Sequence, residues 1–247
     1  MNTNRLTDAP ATFRKTAILA GVLLLLTDVT SIAALPLYGS ILSDPGYITG
    51  AGPDTLTLLG VMLEVILALA IVGNGVALYP VFKRYNTGAA LGFAAFRALE
   101  AAVIAVGVVP LLAVVTLRQQ MAGAIDPASL QAIGAALVSF HNWTFLLGPG
   151  LIYPMVALLA GYLLYRSRLT PRFIPALCFT GGVLVFVGST AKLFGIMAMD
   201  SPWLFVMAMP ALAWEVSLGL YMIFKGFDRG AAVEPAAVTA GERLSPV

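Results

Sequence analysis

The chain has 247 residues, of which 60% are hydrophobic and 11% are charged, and its mean hydropathy is +0.92. Soluble domains carry about 25% charged residues, so this composition excludes an ordinary soluble protein and indicates a membrane protein. The formal net charge of +2 is uninformative as a total, and only the placement of the charges matters. We expect the lipid bilayer as a partner and no nucleic acid. The single cysteine, Cys178, excludes an internal disulfide and a cysteine-based metal cluster.

Six apolar segments are long enough to cross a hydrocarbon core of about 30 Å as helices. They predict spans over residues 16–38, 55–81, 91–115, 130–165, 173–199 and 203–224. The first segment follows Arg14-Lys15 but is longer than the apolar region of a signal peptide, so we interpret it as a retained span. We expect an all-α membrane protein, a six-transmembrane-helix bundle over residues 14–227, with an N-terminal tail (1–13) and a disordered tail (228–247).

The basic residues outside the spans lie almost entirely on one side of the predicted bundle. Arg118 is the exception; the others are Arg5, Arg14, Lys15, Lys83, Arg84, Arg166, Arg168, Arg172, Lys225, Arg229 and Arg243. Because loops rich in Lys and Arg stay in the cytoplasm, both termini are predicted to be cytoplasmic. The expected location is the cell membrane, the inner membrane of a bacterium.

The fourth segment is longer than one crossing needs and contains Gly148-Pro149-Gly150, followed by Pro154. Proline removes a backbone donor and clashes with the preceding turn, so we expect this helix to be kinked or broken at Gly148-Pro149-Gly150. Two interpretations stay open. The break belongs either to a packing helix or to a helix that borders a binding cavity.

Polar residues interrupt the apolar spans and form the candidate binding set. They are Asp28, Glu64, Asn74, Arg97, Glu100, His141, Asn142 and Glu215. Counting along each helix from the basic residues at about 1.5 Å per residue places the set between mid-membrane and the outer leaflet. A pocket that opens outward is the simplest geometry for it.

The buried charges do not balance. Four acids, Asp28, Glu64, Glu100 and Glu215, face two permanent cations, Arg97 and Lys192. The surplus must be relieved by protonation of a carboxyl, charging of His141, a bound cation or admitted water. We expect Arg97 to be the electrostatic hub, because its planar fork can serve two carboxylates at once.

Each of these residues also has a purely structural interpretation. Arg97 and Glu100, three apart on one helix face, could form an ion pair that only joins helices. Lys192 could extend toward the outer membrane surface. Asp28, between two threonines, could hydrogen-bond across a helix interface. His141 could be a core residue with its hydrogen bonds satisfied.

Several ordered runs resemble one known family. They are Leu63-Glu64, Ala77 to Asn86, Phe96 to Glu100, His141 to Gly150, Leu163 to Leu169, Trp214-Glu215 and Lys225-Gly226-Phe227. Together they resemble the bacterial family catalogued as domain of unknown function 4386. The resemblance implies a six-span bacterial membrane protein and no particular activity. Asn142 stands where an acidic residue is usual in that family, which weakens a role for it as a metal ligand.

Three functions compete. The polar core could bind or translocate a small solute, a proton or a cation, as a transporter does, and the interrupted fourth span and the acid surplus favour this. The chain could instead be a structural or regulatory partner of another membrane protein, or form a homo-oligomer. It could also be an intramembrane enzyme that uses Glu64, Glu100, His141 and Glu215 as acids, bases or metal ligands.

The sequence has none of the common phosphate-binding, nucleophile, metalloprotease or haem motifs. We therefore expect no cofactor and no bound metal, and favour a protein that is not an enzyme.

Overall fold

A computed structural model describes residues 9–121, 123–198 and 201–227 of the chain. In this part of the chain every regular element is helical. The α-helices are α1 (Ala9–Leu37), α2 (Gly39–Ser43), α3 (Thr55–Phe82), α4 (Thr87–Met121), α5 (Pro127–Phe145), α6 (Tyr153–Ser167), α7 (Phe173–Leu193) and α8 (Pro202–Phe224). A 3₁₀ turn, Tyr47–Thr49, follows α2, and a π-helical segment, Leu146–Ile152, joins α5 to α6.

Six of the helical stretches are long and apolar enough to cross a membrane, with α5, the π-helical segment and α6 forming one continuous crossing. The prediction of an all-α membrane bundle with six spanning helices is confirmed, and the fold is that of a multi-pass membrane protein. The C-terminal tail predicted over residues 228–247 and the first eight residues of the predicted N-terminal tail lie outside the described residues.

Several span ends differ from the predicted ones. The third span is longer at both ends than the predicted 91–115, since α4 runs from Thr87 to Met121. The helix of the first span begins at Ala9, inside the stretch predicted to be a tail. The fifth span ends at Leu193, earlier than the predicted residue 199. Gly195 explains that end, because its φ of +69° lies in the left-handed region that stops a helix. The Ile196 N–H then donates back to the Ala191 carbonyl at 2.9 Å.

The bundle has two ends that differ in charge. The basic end holds residues 83–86 and 168–172, and the acidic end holds residues 38–54 and 123–126. The Arg14 guanidinium near the start of α1 lies beside Gly226, just after α8. Both ends of the spanning region therefore lie at the basic end. That this end faces the cytoplasm stays a prediction.

The spanning helices pack in a ring. α1 contacts α3, α3 contacts α4, α4 contacts α5 and α6, α6 contacts α7, α7 contacts α8, and α8 returns to α1. Near the basic end the ring is filled by large apolar side chains, including Trp214, Phe82 and Phe93. A second core near the acidic end contains Tyr38, Ile48 and Leu111. A cavity lies between these two cores.

The crossing made by α5 and α6 changes its hydrogen-bonding pattern in the middle. The Tyr153 N–H donates to the Gly148 carbonyl, five residues back, as in a π-helix. Pro149 cannot donate a backbone hydrogen bond, so regular α-helical bonding cannot pass through it. Gly150 packs against Ser189 of α7, where a Cβ would lie 2.8 Å from the serine oxygen. The bend in helix direction predicted at this point stays a prediction.

A polar network fixes the acidic-end connection to α4. Arg118 pairs with the Asp54 carboxylate, and its Nε donates to the Gly50 carbonyl at 3.2 Å. The Tyr47 hydroxyl and the Gln119 amide also donate to Asp54, at 2.7 and 2.9 Å. Burial alone would raise the pKa of Asp54, but the hydrogen bonds from Tyr47, Gln119 and Arg118 lower this pKa overall. The network attaches the connection before α3 to the end of α4.

Candidate functional site

A cavity of about 550 Å³ lies among α1, α3, α4, the π-helical segment, α7 and α8. Most of its lining is apolar, with Ile32, Ile71 and Phe145 as examples. Five charged residues of the described chain line the cavity: Lys192 lies toward the acidic end, and the other four lie together at the part of the cavity nearest the basic end. These four form what we call the polar floor: Asp28, Arg97, Glu100 and Glu215. The candidate site is thus an apolar chamber with one charged surface.

Arg97 joins two helices through the two ends of its guanidinium. Its Nη1 lies 3.3 Å from Oε2 of Glu100 on the same helix, and its Nη2 lies 3.3 Å from Oε1 of Glu215 on α8. Arg97 is only 1% exposed, and within the described part of the chain its Nε has no hydrogen-bond partner. Gly75 of α3 leaves room for the arginine stem, since a Cβ there would lie 3.1 Å from the Arg97 Cβ.

Asp28 of α1 completes the polar floor. Its carboxyl lies beside the Glu215 carboxyl, and its buried Oδ2 has no hydrogen-bond partner among the residues that the structure describes. Two adjacent carboxylates repel each other strongly where little water screens them. A proton shared by the two groups, or a cation beside them, would remove that repulsion.

Two aromatic residues that the sequence analysis missed form a chain of polar contacts that leads to the Glu215 carboxylate. The Trp214 indole N–H donates to the Tyr153 hydroxyl at 3.0 Å, and the two rings stack with centroids 6.4 Å apart. The Tyr153 hydroxyl in turn faces the Glu215 carboxylate. The available signals were the positions of these aromatics, with Trp214 directly before Glu215 and Tyr153 directly before Pro154.

α7 contributes two further polar residues to the cavity, Ser189 and Lys192. Lys192 is half-buried and makes no ion pair within the described residues. Its ammonium is therefore free to turn toward the cavity or toward the acidic end of the bundle.

Glu64 and His141 lie outside the cavity lining and belong to a second polar group. The Tyr38 ring meets the His141 ring edge-to-face at 5.8 Å, and its buried hydroxyl faces Glu64 without a well-formed hydrogen bond. The His141 Nδ1 lies 2.9 Å from the Gly107 carbonyl. Nδ1 is therefore the donor, because a carbonyl oxygen can only accept. Tyr38 was missed, because an aromatic residue at the end of an apolar run resembles an ordinary core residue.

The two candidate asparagines lie in neither group. Asn74 is fully buried, and its side chain donates to the Ala20 carbonyl of α1 at 3.0 Å, so it links α1 to α3. Asn142 is half-buried on α5, away from the cavity lining. The eight candidates therefore separate into four residues at the polar floor, two in the second group and two elsewhere. His141 does not join the carboxyls of the polar floor, and no three His, Cys, Asp or Glu side chains among the described residues are placed to hold a metal ion.

Comparison with known proteins supports the family resemblance. The family model described as domain of unknown function (DUF4386) matches residues 19–226, which include all four residues of the polar floor. Neither the curated proteins nor the solved structures gave a match to this chain. Because the matched region covers most of the sequence, with most of the first spanning helix and all of the other five, the chain belongs to the DUF4386 family of unknown function.

Proposed function

We propose that the bundle binds a small, positively charged solute in its cavity, with the carboxylates of the polar floor as counter-charges. The observation that carries this proposal is the grouping of three carboxyls, Asp28, Glu100 and Glu215, around one guanidinium, Arg97. With every group ionised, the three carboxyls exceed the two lining cations, Arg97 and Lys192, by one negative charge. A cation that enters the cavity meets this surplus in surroundings where screening by water is weak.

The size and lining of the cavity support a ligand site more than a packing defect. Small-molecule sites commonly enclose about 300–1,000 Å³ and combine apolar walls with a few convergent polar groups. The cavity of about 550 Å³ has this character. Pro149 and Gly150 of the π-helical segment line it as well, and π-helical segments often occur at functional sites.

Translocation is the natural extension of this function. A permease must open the same site to each side of the membrane in turn. Toward the basic end the cavity is closed by the contact of α1 with α8 and by the core around Trp214. Transport would require these contacts to separate while the solute stays at the polar floor.

The two other functions receive less support. An enzyme that uses Glu64, His141, Glu100 and Glu215 together would need these groups at one place, and they belong to two separate groups. A purely structural role accounts for the Arg97 ion pairs. It gives no reason for the chamber beside them or for the unpartnered Asp28 oxygen.

The proposal is tested by ligand-induced stabilisation of the purified protein in lipid nanodiscs. We expect small organic ammonium ions to raise the melting temperature, and carboxylates or neutral alcohols of similar size to leave it unchanged. Asp28→Asn should reduce the stabilisation, because one of the counter-charges is lost.

The matched control is Glu64→Gln, which removes a buried carboxyl outside the cavity. We expect this variant to keep the response to ammonium ions. Equal stabilisation by ammonium ions and alcohols, or an undiminished response in Asp28→Asn, would contradict the proposal.

A further inference from the structure

We infer that the solute is a cationic amphiphile, with its head group at the polar floor and one apolar chain in a cleft between α1 and α8 that opens toward the lipid. The inference rests on the proposed function, since it names the class of solute that the same cavity takes. We call this cleft the lateral cleft. It is lined by Ile32, Leu35, Leu204, Phe205 and Ala208.

α1 and α8 touch in the half of the bundle nearer the basic end. A Cβ on Gly21 would lie 2.7 Å from the Gly219 carbonyl oxygen, and a Cβ on Gly219 would lie 2.7 Å from the Leu25 side chain. The two backbones are therefore in direct contact there. No chain-like ligand passes between them at this level.

In the other half of the bundle the same helices border the cavity from opposite sides. Ile32 and Leu35 line it from α1, and Leu204, Phe205 and Ala208 line it from α8. Ile32, Leu35 and Phe205 are 53%, 57% and 69% exposed although they line a cavity. The helices therefore diverge from their glycine contact toward the acidic end, and the gap between them reaches the surface that faces lipid.

The lining chemistry selects the occupant. A bare metal ion would use the carboxylates but leave the long apolar walls without a partner. The acyl chain of a lipid would cover the walls but offer nothing to the charges, and a phosphate head group would be repelled by the carboxylates. An ammonium head with one apolar chain satisfies both surfaces. Entry from the bilayer would also spare the chain a passage through water.

The depth of the cleft sets the useful chain length. Asp28 and Leu35 lie seven residues apart on α1, which corresponds to about 10 Å along the helix. Each methylene buried over this distance should tighten binding by about threefold to fourfold when the free ligand is measured in the aqueous phase, because the gain comes from removing the methylene from water. Further methylenes should add little once the chain emerges from the cleft.

The experiment is a chain-length series of n-alkylammonium ions, from ethyl to dodecyl, titrated against the full chain in nanodiscs of zwitterionic lipid. Trp143→Phe and Trp203→Phe leave Trp214, which is buried and bonded to Tyr153 beside the polar floor, as the fluorescent reporter. The n-alkyl alcohols of the same lengths correct for simple partition into the bilayer. We expect saturable binding of the ammonium ions that tightens threefold to fourfold per methylene and then levels off.

Ala208→Phe fills the cleft and should remove most of the gain in affinity with chain length. Ala105→Phe is the matched control, because Ala105 lies at the exposed surface of α4 away from the cavity. It should bind the whole series as the parent does.

Saturable binding of short ammonium ions with no dependence on chain length would overturn the inference and leave the proposed function standing. Equal binding of alcohols would overturn it as well, since the cleft would then be a crevice for lipid chains. If no ammonium ion binds at any length, the proposed function fails together with the inference.

Discussion

At the scale of single residues, Arg97 decides how the buried charges are shared. It is the permanent cation that contacts the carboxyls of the polar floor, and it reaches one on its own helix and one on α8. Glu215 is the residue on which most contacts converge, since Arg97, Asp28 and Tyr153 all face its carboxyl. Changes at these positions should therefore affect stability and binding together.

Arg97→Met should destabilise the protein by about 3–5 kcal/mol, because Glu100 and Glu215 would remain buried without a cation. Arg97→Lys should restore stability only in part, since one ammonium cannot form the fork that joins both carboxylates. Combining Arg97→Met with Glu100→Gln should recover part of the loss. The measurement is thermal unfolding in detergent, with Lys83→Met at the exposed basic end as the control. An Arg97→Met variant that melts like the parent would contradict this role.

Asp54 should give the acidic-end connection a dependence on pH. Its pKa is lowered below the ordinary value of 3.8 in the fold. A carboxyl with a lowered pKa contributes stability that is fully present above the unfolded value and is lost as the pH falls through the folded value. Asp54→Asn should therefore destabilise the protein at neutral pH, and the difference from the parent should shrink as the pH falls below 3.8.

This prediction is checked by melting temperatures of the parent and the variant between neutral and strongly acidic pH. Asp44→Asn is the control, because Asp44 is exposed and caps only the nearby Gly46 N–H. A difference between Asp54→Asn and the parent that stays constant down to the lowest pH would show that the lowered pKa has no part in stability.

The sequence could predict which residues are polar and buried, but not how they group. The spacing of Arg97 and Glu100 was enough to place them on one helix face. Whether Arg97 reaches Glu64 or Glu215 depends on the tilt and rotation of α3 and α8, which tertiary packing sets. Tyr38 carried no signal beyond its apolar surroundings, and the position of Tyr153 before Pro154 did not indicate which residue its hydroxyl would face.

At the scale of elements, the composition of the spans predicted the number of membrane crossings but not every residue at which a helix begins or ends. Apolar length gave the six crossings, because a membrane helix must satisfy its backbone internally over the full hydrocarbon thickness. The end of α7 depends on one glycine in the left-handed region, within a stretch that is otherwise apolar. The π-helical segment depends on how Pro149 packs between α4 and α7, and a proline alone does not specify that pattern.

The contact of the π-helical segment with α7 can be tested at Gly150. Gly150→Ala should destabilise the protein by about 1–3 kcal/mol, because the added methyl would lie 2.8 Å from the Ser189 oxygen and force the segment from α7. Adding Ser189→Ala should relieve part of this strain. Gly39→Ala, where a Cβ meets nothing within 4 Å, is the control. Thermal unfolding that is unaffected by Gly150→Ala would mean that the two elements do not pack closely.

At the scale of the whole molecule, the charge at each end of the bundle and the position of the cavity bear on how the protein is oriented in the membrane. The basic residues gather at one end, and the cavity lies on the other side of the core around Trp214. If the basic end is cytoplasmic, the cavity opens in the outer half of the membrane. The proposed solute would then be received from the outer leaflet.

This orientation can be tested by cysteine labelling in a Cys178→Ala background, using Ser43→Cys and Thr87→Cys. Both positions are exposed, Ser43 at the acidic end and Thr87 at the basic end. We expect an impermeant reagent to label Ser43→Cys in intact cells, and to label Thr87→Cys only after the membrane is opened. The reverse pattern would place the cavity in the inner half of the membrane.

The most direct test of the central claim is the reactivity of a cysteine inside the cavity toward charged reagents. Ser31→Cys, in a Cys178→Ala background, would carry its thiol at the cavity lining, one turn of α1 from Asp28. If the polar floor attracts cations, a positively charged methanethiosulfonate should react several-fold faster than a negatively charged one of similar size. The ratio should fall toward one in Glu215→Gln, and a bound alkylammonium ion should slow the reaction. No reaction with either reagent, or equal rates that Glu215→Gln does not change, would contradict the claim that this cavity selects a cationic solute.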